Sequence, residues 1–335
     1  MTWPLLSPYI IINSGLYNTN QRDNSIQSQS TKSILITGVN GFVGKHLARA
    51  AHSAGHNVIG TGMDDQPNPE ISDYLETYIP KCDLTNVENV RAIPLENLDT
   101  VINLAGLAQV GASFGKEDEY THINVRVHTV LAEALLAIHS TARIVTVSTG
   151  AVYDSHQSMP LNEESALITE GSPYAMSKIS MEQAMNEFIE KGLDVVIARP
   201  FNHIGPGQLP GFLVPDMAAQ LRDDNTVTVG NLKTSRDYTD VRDVVQAYLL
   251  LATKDSLKHR VYNVCSGKDV MGEEILAELC RAFNKASVET QVNPKFIRPN
   301  DPLKIVGSHD KLTNDTGWQP TIPLATTLTD FVAGL

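Results

Sequence analysis

The chain reads as an α/β protein built on a doubly wound parallel sheet (Rossmann type), with a smaller α/β lobe. Three observations predict this. Short apolar runs of strand length alternate with helical stretches from Ser33 to Ala198. The first run leads into a glycine-rich turn that opens a helix. After Pro200 the rhythm gives way to Gly/Pro-rich chain with helices and strands of its own. Alternation of this kind implies a parallel sheet covered on both faces, with ligands met at the carboxyl ends of its strands.

Each element follows in order. Ile34-Leu35-Ile36-Thr37 is a buried-strand run, and Gly38-Val39-Asn40-Gly41-Phe42-Val43-Gly44 follows it. The next helix runs from Phe42 to His52 and closes near Gly55. Asn57-Val58-Ile59-Gly60 is a second strand, and Val101 to Ala105 and Arg143 to Ser148 are further ones. Between those two, a long helix from Tyr120 to His139 carries Val125, Leu131, Leu135 and Ile138 as its apolar face. Ser172-Pro173 looks like an N-cap followed by proline at the first helical position. The helix it opens carries Ile179, Met185 and Phe188 and closes at Gly192. Val195 to Ala198 is another buried strand. Beyond the Gly/Pro-rich stretch Gly205–Gly211, the pattern predicts helices near Val214–Asp223, Asp240–Ala252 and Gly272–Asn284, and strands at Thr226–Val229 and Val261–Val264.

Composition narrows the function classes. The 335 residues are 42% hydrophobic, ordinary for a globular protein, with a formal net charge of −12. That charge argues against nucleic acid or an anionic membrane surface as a partner. Cys82, Cys265 and Cys280 have no metal-type spacing and form no disulfide framework, so a reducing cytoplasm is the simplest reading and no metal is expected. Each is expected to be a small buried residue. Residues 1–20 contain no Lys or Arg, and Tyr9-Ile10-Ile11-Ile12 is too short for a signal core or a membrane span. Residues 18–32 are rich in Asn, Gln, Ser and Thr and read as part of a flexible leader.

The glycine turn has the geometry of a phosphate cradle. Glycines let backbone approach a pyrophosphate without a Cβ in the way, and the helix opening there aims its N–H groups and positive end at the phosphates. Its glycine spacing is three-three. The alternative is a tight strand-to-helix turn without a ligand. An acid after the second strand would bind the ribose 2′-OH of a dinucleotide. The chain there reads Gly60-Thr61-Gly62-Met63-Asp64-Asp65, so Asp64 is either that acid or a turn residue. No Arg stands beside it to hold a 2′-phosphate. NADP(H) or NAD(H) is therefore the expected cofactor.

Tyr174 and Lys178 are four residues apart and share one face of a helix. A phenol with a pKa of about 10 is a poor acid at neutral pH, and a nearby ammonium lowers that value. The alternative is an incidental pair on a solvated face. Ser148-Thr149, at the carboxyl end of a strand, would supply a hydroxyl to polarise a carbonyl; otherwise it caps a turn.

Taken together, the glycine turn, Val147-Ser148-Thr149-Gly150-Ala151-Val152-Tyr153, Tyr174-x-x-x-Lys178 and Arg199-Pro200 resemble the extended short-chain dehydrogenase/reductases that act on nucleotide sugars. Finer strings look like the members that reduce GDP-linked 4-keto-6-deoxy-hexoses. These are Arg199 to Gln208, Gly230-Asn231-Leu232 with Arg236 to Asp243, Tyr262 to Gly267, and Thr316-Gly317-Trp318-Gln319-Pro320. The resemblance spans about Lys32 to the C-terminus. It implies Thr149, Tyr174 and Lys178 as the catalytic triad. It implies a cofactor site of Gly38, Asn40, Gly41, Phe42, Val43, Gly44, Asp64, Asp83, Leu84, Leu104, Ala105, Tyr174, Lys178 and Pro200. Asn124 would tie the long helix to the active-site helix. Gln109, Thr149, Asn202, Val214, Asn231, Arg236 and Arg298 would meet the GDP-activated deoxy-hexose, the two arginines neutralising its diphosphate. A homodimer is implied as well. Two positions depart from the relatives' pattern: Leu107-Ala108-Gln109 stands where many place Gln and Ser, and Asp154 where Gly is usual.

These readings divide the chain into a leader (1–31), a dinucleotide-binding domain (32–200) and a substrate-binding lobe (201–335), the lobe interleaved with late elements of the main sheet at about 236–266. A dehydratase would need a carboxyl pair after Thr149, where this chain has Gly150 and Ala151. A C4 epimerase retaining NAD shares the triad and is the main alternative to a reductase. An inactive dinucleotide-binding regulator is disfavoured by the intact triad.

Overall fold

The computed structural model describes residues 30–297 and 301–335. All of the expected leader except Ser30 and Thr31 lies outside the described residues. From Thr31 the chain forms one unit. Its first part contains β1 (Ser33–Thr37), α1 (Phe42–Ser53), β2 (Asn57–Thr61), β3 (Thr77–Ile79), α2 (Val87–Arg91), β4 (Thr100–Asn103), α3 (Val110–Ser113), α4 (Glu117–Ala137), β5 (Arg143–Val147), α5 (Pro173–Glu190) and β6 (Val195–Pro200). There follow β7 (Asn202–Ile204), α6 (Leu213–Asp223), β8 (Thr226–Val229), β9 (Ser235–Asp240), α7 (Val241–Thr253) and β10 (Val261–Val264). The chain ends with β11 (Asp269–Met271), α8 (Gly272–Ala282), β12 (Glu289–Val292), β13 (Lys304–Ile305), α9 (Asp310–Thr316) and α10 (Leu324–Ala333).

The main sheet has seven strands in the order β10-β6-β5-β4-β1-β2-β3. All its pairings are parallel. One face packs Leu47, Ala48 and Ala51 of α1 and Val244, Tyr248 and Leu251 of α7 against strand residues such as Ile36 and Val145. The other packs Val127, Leu131 and Leu135 of α4 and Met181, Met185 and Phe188 of α5 against Leu35, Val101 and Ile144. Strand order reverses between β1 and β4, which opens the crevice where doubly wound sheets receive ligands. A separate core of Ile204, Val214, Met217, Leu221, Val229, Ile275, Leu279 and Phe331 holds α6, α8 and α10 together.

Most expected strands and helices are present, with shifted ends. The long helix begins at Glu117 because Glu117, Asp118 and Glu119 occupy its first turn, where acidic groups meet the positive helix end. It stops at Ala137, and His139 beyond it adopts a positive φ of 53°. Asp240, expected as the first residue of a helix, is instead the N-cap of α7, its carboxylate accepting from the Arg242 N–H. The helix expected to reach Asn284 ends at Ala282, and Asn284 also has a positive φ, 54°. Cys82 and Cys265 are buried and Cys280 is half-buried, all as free thiols whose ionisation burial pushes up. Among the described residues no cluster of His, Cys, Asp and Glu could hold a metal, and no helix is long and apolar enough to cross a membrane.

Candidate active site

The glycine turn leaves the carboxyl end of β1 at the crevice. Gly38 has φ +62°, a left-handed conformation that glycine adopts without strain. A Cβ on Gly44 would lie 2.4 Å from the Gly38 carbonyl oxygen, 2.6 Å from that of Val39 and 2.7 Å from Val39 Cα, so only glycine lets α1 pack so closely under the turn. Gly41 caps α1 without any side-chain bond to the first-turn N–H groups. Those donors, the positive helix end and the bare backbone form a pocket floor suited to a pyrophosphate. The residues present thus fit a dinucleotide.

The opposite wall is the loop after β4. Thr37 Oγ1 accepts the N–H groups of Leu104 at 3.0 Å and Ala105 at 3.1 Å, and donates to Asn103 Oδ1 at 2.6 Å. Asn40, expected at the phosphates, uses its side chain to hold the loop after β2. Its Nδ2 donates to the Asp64 carboxylate at 2.7 Å and to the Gln66 carbonyl at 3.1 Å, and its Oδ1 accepts the Asn68 N–H at 2.8 Å. Asp64 is exposed, with one carboxylate oxygen engaged by Asn40. Asp83 accepts from the Thr85 N–H and hydroxyl, and Leu84 is buried among the β-sheet residues. Phe42 stacks on His203, centroids 6.2 Å apart, and Pro200 pairs with Val264 at the end of β6.

The triad residues converge at the carboxyl end of β5. Ser172 caps α5 by accepting from the Ala175 N–H at 3.2 Å, which places Tyr174 in the first turn. Of the two strand-end hydroxyls, Ser148 donates to Glu182 at 2.5 Å, whereas Thr149 accepts from the Ala151 N–H at 3.2 Å and lies beside the Tyr174 phenol. Burial pushes the Tyr174 phenol above its ordinary value, and the neighbouring Thr149 hydroxyl pulls the other way. Lys178, one turn on, is buried and donates to the Val147 carbonyl at 2.9 Å. Burial pushes its ammonium down to about 8, opposed by Glu182. A Cβ built on Gly106 would lie 3.8 Å from Lys178 Nζ, so the lysine reaches the loop after β4.

Asn124 braces this junction from α4. It exchanges hydrogen bonds with the Leu107 backbone, at 2.7 and 3.1 Å, and donates to Ser177 Oγ at 2.9 Å. Ser177 in turn donates to the Tyr174 carbonyl. Loop, long helix and active-site helix are thereby fixed to one another.

The expected substrate residues are less uniform. Gln109 is exposed at the start of α3, and a Cβ on Gly211 would approach its Nε2 to 3.0 Å. Asn202 and Asn231 are exposed. Val214, at the start of α6, is enclosed in the small core. Arg236 is engaged by the Asp301 carboxylate at 2.8 Å and by the carbonyls of Ser235 and Pro302. Arg298 lies outside the described residues. Sequence reasoning missed Thr37, Asn103, Glu182 and the pairing of Arg199. The available signal was a charged or polar residue at an inward position of an otherwise apolar element.

A parallel sheet with a glycine cradle at its switch point, and a Thr-Tyr-Lys cluster across the crevice, defines an NAD(P)-dependent enzyme of the oxidoreductase type. The chain belongs to the NAD dependent epimerase/dehydratase family, whose model matches residues 34–265. It is 33% identical to GDP-6-deoxy-D-mannose reductase of Pseudomonas aeruginosa over 89% of this chain and 95% of that protein. It is 28% identical to GDP-6-deoxy-D-talose 4-dehydrogenase of Aggregatibacter actinomycetemcomitans over 85% and 91% of the two chains. Among solved structures, RMD from Pseudomonas aeruginosa complexed with NADPH superposes with a TM-score of 0.77 at 30% identity, covering 91% of this chain and 98% of that one.

Proposed function

We propose that the protein reduces the C4 ketone of GDP-4-dehydro-6-deoxy-D-mannose to give GDP-D-rhamnose. One observation carries the reading: Thr149 at the carboxyl end of β5 lies beside the buried Tyr174 phenol, with Gly150 and Ala151 where a dehydratase would need its acids. A dehydratase would need an acid at position 150 or 151. A Cβ on Gly150 would meet the Phe201 ring at 2.9 Å, so position 150 has no room for one. The likeness to two enzymes of GDP-linked 6-deoxy sugars supports the nucleotide and the deoxy-hexose.

The nicotinamide cofactor supplies the hydride. Its pyrophosphate would rest on Gly38, Gly41, Phe42, Val43 and Gly44, with Asn40 fixing the neighbouring loop. Asp64 would face the adenosine ribose, Asp83 and Leu84 the adenine, and Leu104, Ala105 and Pro200 the nicotinamide half. Thr149 and Tyr174 hold the sugar C4 oxygen, and their hydroxyl dipoles stabilise the charge that grows there. Tyr174 donates its phenolic proton to that oxygen. Lys178 stabilises the phenolate left behind and orients the nicotinamide ribose. Gln109, Asn202, Val214 and Asn231 would line the path to the nucleotide, and Arg236 and Arg298 would meet the diphosphate. Asp301 already holds Arg236, so bidentate contact with phosphate requires that carboxylate to yield. A cytoplasmic homodimer completes the reading.

The test supplies the 4-keto sugar, made from GDP-mannose by a separate dehydratase, with NADPH or NADH in parallel. Loss of nicotinamide absorbance together with GDP-rhamnose identified by NMR is the expected result. Absence of oxidation with either cofactor would reject the reductase and favour a C4 epimerase or a different nucleotide sugar. Size-exclusion chromatography with light scattering tests the dimer.

A further inference from the structure

A buried charge cluster lies behind the triad. Glu182 sits four residues beyond Lys178 on α5, hence one turn along the same face. Its Oε1 accepts from Ser148 Oγ at 2.5 Å and Arg199 Nε at 3.0 Å, and its Oε2 accepts from Arg199 Nη2 at 2.6 Å. Both side chains of this ion pair are 6% exposed. Arg199 also donates to Tyr153 Oη at 2.9 Å, which donates in turn to Asn263 Oδ1 at 2.7 Å. Three of these residues adjoin residues of the site: Glu182 shares a helix face with Lys178, Ser148 precedes Thr149, and Arg199 precedes Pro200. Stability alone accounts poorly for such a pair, because buried ion pairs are often no better than apolar residues of the same volume.

We propose that the Glu182–Arg199 pair positions charge for the reaction: the Glu182 carboxylate, gripped by Ser148 and Arg199, holds the proton on Lys178 against burial, and Arg199 tempers that hold. The inference rests on the reading above, in which Lys178 acts as a cation. Lys178 stands where burial works against its charge, and Glu182 is the group that opposes this effect. The other titratable and charged groups around the cluster are Tyr174 on α5, Tyr120 and His128 on α4, Tyr153 and Glu163 after β5, Arg199 on β6 and Tyr248 on α7; Glu163 accepts the Asn263 N–H at 2.8 Å and acts on Tyr153, not on Lys178. Burial keeps His128 neutral, with its Nδ1 bonded to Asn103. Burial likewise raises the phenols of Tyr153, Tyr174 and Tyr248, so none of them supplies a negative charge at neutral pH. The stabilising anion is Glu182.

The test follows Lys178 directly. Lysine labelled with carbon-13 at Cε is incorporated into the full-length protein, and the Lys178 resonance is assigned with Lys178→Arg. Its titration is recorded by NMR for the wild type, Glu182→Gln and Arg199→Gln, with pH profiles of turnover on the same preparations. The wild-type resonance should titrate near 8. Glu182→Gln should hold the proton about tenfold more weakly, and Arg199→Gln about tenfold more tightly, since the carboxylate loses its competing cation. Loosened packing would instead carry the lysine toward its ordinary value in both. If Glu182→Gln does not fold, Arg199→Lys replaces it: retained charge should leave Lys178 near its wild-type behaviour while Arg199→Gln tightens it. Unmoved titrations, or shifts of the same sign in the first pair, overturn the proposal, as do equal shifts in the second. Should the titrations move as expected while the alkaline limb of turnover stays put, the pair's hold on Lys178 stands and the catalytic role of Lys178 falls.

Discussion

Lys178 is where stability and activity pull apart. Its side chain is buried, and burial pushes its ammonium from 10.5 down to about 8. A displacement of that size corresponds to about 3 kcal/mol of destabilisation at neutral pH. The sign is fixed by which state holds the proton. Below about 8 both folded and unfolded chains are protonated at Lys178, and the folded chain bears the full burial penalty. Between about 8 and 10.5 the folded chain has released the proton while the unfolded chain keeps it, so the penalty fades as pH rises. Lys178→Met has a similar length and no charge. It leaves the Val147 carbonyl without its 2.9 Å donor, which returns about 1 kcal/mol of the gain. The variant should therefore be about 2 kcal/mol more stable than the wild type at about pH 7, with the difference falling as pH rises, crossing zero at about pH 10 and leaving the wild type about 1 kcal/mol ahead once both states have released the proton. Urea unfolding of both proteins without cofactor, at several pH values across this range, measures it. A variant no more stable at neutral pH, or a difference that does not change with pH, would refute the claim that α5 holds a charged lysine in surroundings hostile to charge.

Three further outcomes follow from the same geometry. Tyr174→Phe should lower turnover by about 10²–10⁴-fold while NADPH still raises the melting temperature; near-normal turnover would remove Tyr174 from the mechanism. Gly44→Ala places a methyl group against three backbone atoms, none of which can rotate away, and should cost about 1–3 kcal/mol. Thermal scans should also show that NADPH no longer stabilises this variant, and a wild-type response would show that the turn is not the cradle. Ser172→Ala removes the acceptor for the Ala175 N–H and should destabilise by about 1 kcal/mol in a denaturant titration. An unchanged midpoint would mean that Pro173 alone starts α5.

The strands of the main sheet were legible because they are short apolar runs buried on both faces. The helices were legible where apolar spacing was regular, as at Leu131 and Leu135. What escaped is the second sheet system. β7, β11 and β13 are two or three residues long, and their pairing with β9 depends on partners far away in the chain. No local pattern marks Asn202–Ile204 as a strand; it becomes one because Tyr238–Asp240 lies beside it. That Tyr174 and Lys178 come together with Thr149 was readable because their spacing is set by one helix turn and one strand end. The partner of Arg236 was not, since its side chain offers the same chemistry to Asp301 as to a phosphate. Only the fold decides which partner is within reach.

A subtler signal was present in the strands themselves. Thr37 and Asn103 end β1 and β4, Ser148 directly follows β5, Arg199 is the penultimate residue of β6, and Asn263 is the penultimate residue of β10. All five are polar and nearly or fully buried. Each on its own looks like a blemish in an apolar run. A buried polar group costs free energy unless it is hydrogen-bonded, so five at one level of the sheet imply a bonded layer there. The structure shows that layer in two pieces: Thr37 with Asn103 and His128, and Ser148 with Glu182, Arg199, Tyr153 and Asn263. The upstream residues of the same strands, such as Leu35, Val101 and Val196, are apolar and need no such network. Buried polar side chains gathered at the carboxyl ends therefore mark the edge of the sheet at which a ligand is expected, before any motif is consulted; Thr100, buried at the other end of β4, donates locally to the Arg143 carbonyl at 3.0 Å. The bonded layer also explains why Arg199 tolerates a strand that is otherwise apolar up to Pro200: its partners lie in the same layer, on α5 and after β5, and are brought within reach only when β6 takes its place beside β5.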